Sequence, residues 1–210
     1  MIDSKKICLF VICPIGFELI QNEEIKFWLN QLGIKNYETC IESGGVEIYT
    51  NDPHAMQAIV FLKIATRVLL RIYNFRVKDF PRLYNKTKKI EWEKYLYTEK
   101  INIKVSLKKS RIIHSTKARK SIESAIKEWL KGNPRKKISE LANEQNIYFK
   151  IQDDECQVSL DLSGIALYKR KSKNLGAIAP IRENIASGLI QLCIKDLDKI
   201  PTSFVDPMCG

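Results

Sequence analysis

The first 77 residues alternate between strand-like and helix-like patterning, and the breaks between these segments leave few folds open. Residues 7–13 form a continuous apolar run, as a buried strand would. Pro14 and Gly16 interrupt it. Phe17, Ile20, Phe27, Trp28 and Leu32 then recur at roughly helical spacing up to Gly33, which suits a helix end. Two further runs, 35–41 and 46–50, flank Ser43-Gly44-Gly45 and predict a hairpin. Asn51-Asp52-Pro53 predicts a helix start, with Asp52 as cap and Pro53 in the first turn. Residues 68–77 complete a βαββαβ order, the ferredoxin-like arrangement.

The remaining chain continues in the same mixed style, so the fold class is α+β. Asp79-Phe80-Pro81 opens a second capped helix, short and basic. Ile101, Ile103, Val105 and Leu107 alternate with polar residues and predict a half-buried strand. Ala118, Ile122, Ala125, Ile126 and Trp129 form one apolar stripe on a helix over 115–131, stopped by Gly132-Asn133-Pro134. Residues 147–152 and 157–162 predict a hairpin across Asp153-Asp154-Glu155, and 165–168 a further short strand. Pro180 opens a last helix over 181–194, followed by a terminal strand over 200–205.

The formal net charge is +11, and its placement says more than its sum. Residues 1–62 are net −4 and 138–210 net −2, whereas 63–137 hold 23 Lys/Arg against six Asp/Glu. A segment that basic repels itself unless a polyanion shares its surface, which points to nucleic acid. The densest cluster is Lys108, Lys109, Arg111, Lys117, Arg119 and Lys120, with His114 beside it. Lys86, Lys88 and Lys89 form a second group. Lysine and arginine at phosphates supply affinity and salt dependence with little sequence readout.

Other chemistries are poorly supported. The six cysteines contain no CxxC pair, and neither His54 nor His114 lies near one, so zinc is not indicated and reduced, mostly buried thiols are expected. The two histidines stand 60 positions apart, which disfavours a shared catalytic role. Consecutive carboxylates in the Asp153-Asp154-Glu155 turn suit solvent better than a metal. The longest apolar runs are far too short to span a bilayer, and the N-terminus lacks a signal-peptide pattern, so the chain is read as cytoplasmic with no membrane partner.

SLDLSGIALYKR, then APIRENIASGLI, then FVDPMCG occur in an order and spacing that resemble the junction in THUMP-domain class I RNA methyltransferases. CPIGFELIQNEEI resembles that family's opening strand-to-helix turn, SGGVEIYT its GGV hairpin, and HSTKARKSIESAIKEWL its THUMP helix. The likeness covers essentially the whole chain and is strongest to bacterial 23S rRNA guanine-N2 methyltransferases.

The resemblance implies an N-terminal ferredoxin-like domain over 1–77, a THUMP RNA-binding domain over 78–170, and a linker helix with the start of a Rossmann-like methyltransferase domain over 171–210. In the family the last motif continues as DPMCGSGT; this sequence stops at Gly210, so the resemblance implies a fragment. Asp206, Pro207, Cys209 and Gly210 match the start of the turn that binds S-adenosyl-L-methionine. Arg182, Glu183 and Asn184, in the helix before it, either lie near the cofactor in the whole enzyme or are surface residues of an ordinary helix, and helix patterning favours the second. The full-length protein is thus expected to use S-adenosyl-L-methionine, and this chain alone to bind none and to be inactive. Its partner would be structured RNA: 23S rRNA, or tRNA as in some relatives. A free-standing RNA-binding adaptor is the other reading.

Overall fold

A computed structural model describes residues 6–98, 100–133, 144–169, 181–197 and 201–205. The chain divides into two compact units. One comprises 5–69 with 165–210, the other 1–4 with 70–164.

The first unit contains β1 (Ile7–Ile12), α1 (Glu18–Gln31), β2 (Tyr37–Glu42) and β3 (Gly45–Thr50), then a 3-10 helix (Pro53–Val60) and the first residues of β4 (Arg67–Arg76). Its strands run in the order β2-β3-β1-β4. β3 pairs antiparallel with both neighbours, Val46 facing Val11 on one side and Ile41 on the other. The expected hairpin is present, and its two glycines do different work. Gly44 has φ +83°, a left-handed conformation that glycine takes without strain. Gly45 is in regular strand, but a Cβ there would lie 2.4 Å from the Val11 carbonyl oxygen.

The βαββαβ order holds with one change: its second helix is a 3-10 helix. At three residues per turn Ala55 and Ala58 fall on one line, and both are buried. The Asp52 side chain accepts from the His54 backbone N–H at 2.9 Å, as a cap should.

The core-facing stripe of α1 departs from the expected one. The buried positions are Ile20, Gln21, Glu24, Ile25 and Leu29, whereas Phe27 is 54% exposed. Two polar residues enter the interior because partners await them. The Glu24 carboxylate accepts from the backbone N–H of Lys63 at 2.8 Å, of Ile64 at 3.3 Å, and from Gln21 Nε2 at 3.0 Å. Burial nevertheless dominates and holds the Glu24 carboxyl above its ordinary range.

The same unit includes α4 (Glu183–Ile194), which packs against α1. Asn184 is 2% exposed and donates to the Ile64 carbonyl (3.4 Å) and Thr66 Oγ1 (3.2 Å). Gly188 lies against Phe17, where a Cβ would meet ring carbon at 2.5 Å.

The second unit holds the rest of β4, α2 (Phe80–Lys88), β5 (Ile101–Lys108), α3 (Ser115–Gly132), β6 (Gln145–Gln152) and β7 (Glu155–Asp161), in strand order β4-β7-β6-β5. β5 runs parallel to β6, and β6 antiparallel to β7. Alternate residues Ile147, Phe149 and Ile151 of β6 meet Cys156, Val158 and Leu160 of β7 in one core with Leu83 of α2 and the α3 stripe. Trp92 is fully buried within it, its Nε1 donating to the Thr87 carbonyl at 2.9 Å. Asp79 caps α2 through the Arg82 N–H at 2.7 Å, as its sequence indicates.

Among the described residues, two expected strands are absent. Residues 165–168 do not extend the sheet: Gly164 turns the chain at φ +66°, and a 3-10 turn (Leu167–Lys169) follows, anchored by the Leu167 N–H on the Thr66 carbonyl at 2.9 Å. Residues 201–205 form no strand, and Phe204 is 73% exposed. Among the described cysteines, Cys8, Cys13 and Cys156 are buried and Cys40 and Cys193 exposed. Burial pushes the Cys13 and Cys156 thiols up to about 12, so both remain protonated.

The packing of the first unit makes two stability predictions, with Gly132 of the second unit as the control for one of them. Gly45→Ala should lower stability by about 1–3 kcal/mol, because the methyl meets the Val11 carbonyl oxygen, which cannot swing aside, as well as the Phe10 ring, whereas Gly132→Ala at the end of α3, where space is open, should be neutral or slightly stabilising. Urea midpoints decide this. Glu24 has a raised folded-state pKa, so its favourable contribution is complete below the ordinary carboxylate range and is lost as pH rises through the raised value. The stability of wild type relative to Glu24→Gln should therefore fall as pH increases through that window; a rise would contradict the assignment.

Candidate nucleic-acid interface

The basic cluster lies at the β5–α3 junction, and its geometry begins with a tight turn elsewhere. β6 and β7 are joined by Asp153 and Asp154 alone, with φ of +52° and +62°. Two successive positive φ values define a hairpin turn that aspartate, asparagine and glycine tolerate best. This turn presents the Asp154 carboxylate to the β5–α3 loop. Oδ1 accepts from the Arg111 backbone N–H at 2.9 Å and from Ser110 Oγ at 3.3 Å, and Oδ2 lies 3.4 Å from Arg111 Nε. Ser110 Oγ in turn accepts from the Ile112 N–H at 3.2 Å. Backbone bonds complete the clamp: Asp153 N–H to the Lys108 carbonyl, and Val77 N–H to the Asp154 carbonyl.

Asp154 is therefore not a free surface acid, as its place in an acidic turn suggested. The Arg111 backbone N–H, followed by Ser110 and the Arg111 charge, holds its carboxyl below the usual range. Ile112, 2% exposed, pins the loop into the core from the other side.

Around this fixed loop the residues of the cluster occupy distinct places. Lys108 is exposed at the end of β5, and Lys109, with φ +48°, and Arg111 are exposed on the loop. His114 occupies the N-cap position of α3, exposed and without a side-chain capping bond. Lys117 and Lys120 stand exposed on the outer face of α3, opposite the buried Ala118–Ile122–Ala125–Ile126 stripe. Arg119 turns to the flank, where its Nε pairs with Glu123 at 2.8 Å.

Among the described residues, no carboxylate pairs with Lys108, Lys109, Lys117 or Lys120. Of the second group, Lys86 and Lys89 are exposed, whereas Lys88 is engaged within the fold. Lys88 and Tyr84 of α2 both bind Glu128 of α3, which ties the helices together and spends the Lys88 charge internally.

One basic residue of this region was not singled out from sequence. Lys104 lies on β5, and with Asn102, Ser115, Thr116 and Arg119 it lines an open cleft of about 480 Å³ between the β5 edge and the start of α3. Its ammonium sits 5.1 Å from the ring centroid of Tyr148, its register partner on β6, and 3.2 Å from the Tyr148 hydroxyl. The strand alternation that identifies Ile103 and Val105 as core-facing places Lys104 on the opposite face, which is the signal that could have found it.

The other expected sites meet different fates. Asp206, Pro207, Cys209 and Gly210 lie outside the described residues. Of the helix-start residues, Arg182 and Glu183 are exposed, while Asn184 is an interior hydrogen-bonding residue rather than a surface one. His54 and His114 belong to different units. Among the described residues no group of three or more His, Cys, Asp or Glu could hold a metal ion, and no helix is long and apolar enough to cross a membrane.

This basic, clamped strand–helix junction falls inside a recognised module: residues 77–161 match the family described as THUMP domain, so the chain carries a THUMP domain. The wider likeness is to methyltransferases. The YpsC protein of Bacillus subtilis, whose name carries a provisional RNA methyltransferase assignment, is 30% identical over 98% of this chain and 52% of its own length. A Marinomonas protein named ribosomal RNA large subunit methyltransferase K/L is 28% identical over 99% of this chain and 28% of its own. A solved structure described as a possible methylase from Clostridium difficile is 30% identical with a TM-score of 0.71, over 90% of this chain and 49% of that one. The chain thus spans about half the length of the first of these curated relatives and about a quarter of the second.

The clamp makes a local prediction. Asp154→Gly suits the positive φ while removing the carboxylate, so the hairpin should persist and the loop should loosen. Hydrogen exchange at the Arg111 amide should rise roughly ten-fold, as expected for losing a charge-assisted hydrogen bond. In wild type the same protection should be lost only as pH falls through the lowered pKa of Asp154, since its stabilising ionised form is complete above the ordinary carboxylate value. Unchanged exchange in the glycine variant would remove Asp154 from this role.

Proposed function

We propose that this chain is the RNA-capturing part of an S-adenosyl-L-methionine-dependent RNA methyltransferase, acting on a guanine N2 of 23S rRNA. The observation that carries the RNA reading is the coincidence of the THUMP match over 77–161 with a rigidly held cation cluster whose lysines face solvent without carboxylate partners. Fixed cations outside a pocket suit phosphates, whose spacing and charge are shared by all structured RNA. Such a surface grips the backbone by shape and charge and leaves the choice of base to a catalytic site elsewhere.

The methyltransferase reading rests on the relatives' names and on the FVDPMCG resemblance, and it places methyl-donor binding in the family's DPMCGSGT turn. The layout that fits is a ferredoxin-like domain over 1–77, the THUMP domain over 78–170, and the approach to the methyltransferase domain over 171–210. The choice of 23S rRNA over tRNA follows the ribosomal RNA relatives.

The test is RNA binding across a salt series. Replacing Lys108, Lys109, Lys117 and Lys120 with serine should weaken binding to a structured 23S rRNA fragment and make the log–log salt slope shallower by about three to four units if each touches a phosphate. Arg111→Ala and Arg119→Ala should each change it less, because both guanidinium groups already pair with a carboxylate. Folded variants, checked by circular dichroism, with an unchanged slope would overturn the interface.

A further inference from the structure

The first unit contains a second cavity, of about 430 Å³, that the basic interface does not use. Its walls come from four segments: Trp28 of α1, residues 60–63 at the end of the first 3-10 helix and in the loop before β4, Leu167 and Tyr168 of the 3-10 turn, and Glu183 and Ser187 of α4. The volume falls in the range of about 300–1,000 Å³ usual for small-ligand sites.

Two features make it a built site rather than a surface irregularity. The first is an aromatic platform. Phe61 stacks on Trp28 with ring centroids 4.6 Å apart and planes at 20°, and Phe27 closes on Trp28 edge-on at 5.1 Å. Although they pack together, Phe61 remains 41% and Val60 69% exposed. Two cations belong to the cavity's surroundings: Lys63 is exposed in its wall, and the exposed Arg182 guanidinium sits 5.7 Å from the ring centroid of Tyr168, another wall residue.

The second feature is the cost of holding the walls in place. Glu24, 6% exposed, fixes the loop through the N–H groups of Lys63 and Ile64 from the α1 side. Asn184, 2% exposed, fixes it through Ile64 and Thr66 from the α4 side, and its own Oδ1 has no hydrogen-bond partner. Buried polar groups are expensive, and two of them converge on the same short loop.

We propose that this cavity takes one unpaired nucleotide of RNA, its base stacked on the Phe61–Trp28 pair and its phosphate beside Lys63 and Arg182. Aromatic stacking with flanking cations is how single-stranded nucleic acid is held without base pairing. A purely apolar polypeptide partner would find no use for the two cations. The inference rests on the RNA reading above but concerns a different unit and different residues.

The test uses the full chain and two fluorescein-labelled RNAs, a five-nucleotide single strand and a blunt hairpin, followed by anisotropy. Phe61→Ala and Lys63→Ala should each weaken the pentamer on the order of ten-fold and leave the hairpin unchanged. Pentamer binding should also quench tryptophan emission, and Trp28→Phe should abolish that quenching. Should Phe61→Ala fail to fold by circular dichroism, Lys63→Ala and Arg182→Ala carry the same comparison, both being exposed. Unchanged pentamer affinity in folded variants overturns the proposal, as does quenching by free AMP without pentamer binding, which would make the occupant a free nucleotide. If wild type binds the hairpin but not the pentamer, only this proposal fails; if it binds neither, the RNA reading fails with it.

Discussion

The Asp154 carboxylate, offered by a two-residue turn between β6 and β7, holds the one loop on which the cation cluster depends. Without it, Ser110 and Arg111 would be an exposed connection between a strand end and a helix start, and the charges on Lys108, Lys109 and Arg111 would sample many directions. With it, the loop is bound by a side chain from the β6–β7 turn, by the backbone bond from Asp153 to the Lys108 carbonyl, and by Ile112 in the core. A phosphate-binding surface gains most when its cations are already oriented, because less side-chain entropy remains to be lost on binding. The acidic residue inside a basic cluster is thus part of how the cluster is built.

The other unit solves a related problem differently. There, Glu24 and Asn184 enter the interior from two helices and take hold of the loop leading into β4. Backbone groups in a buried connection need partners, and these side chains supply them where no strand or helix could. Their burial leaves Glu24 with a raised pKa and Asn184 with an unpaired oxygen, a cost that a loop of no consequence would not require.

Much of this was legible in the sequence where local chemistry decides. The Ser43-Gly44-Gly45 turn, the Asp52 and Asp79 caps and the α3 stripe follow from backbone sterics and periodicity, and each stands where those rules place it. The features that escaped depend on contacts distant in sequence. Glu24 has no place in the apolar spacing expected for α1, because the partners that admit it to the interior are some 40 residues away, and Asp154 looked solvated because its partners lie on another loop. The short apolar run 165–168 read as a strand, yet it has a 3-10 turn held by one bond to Thr66. Charge patterning located the basic third of the chain correctly as a surface, but only the fold shows that Lys88 is spent on Glu128 and that Lys104 joins Arg119 in a cleft.

The central claim is that RNA lies against the β5–α3 junction. Lysine-acetylation footprinting, read by mass spectrometry with and without a structured 23S rRNA fragment, tests it most directly, because it maps contact without substituting any residue. Lys108, Lys109, Lys117 and Lys120 should be protected by RNA, while exposed lysines of the other unit's α1–β2 region, Lys26 and Lys35, should react equally in both samples. Equal reactivity at the four junction lysines, with protection found elsewhere or nowhere, would contradict the account.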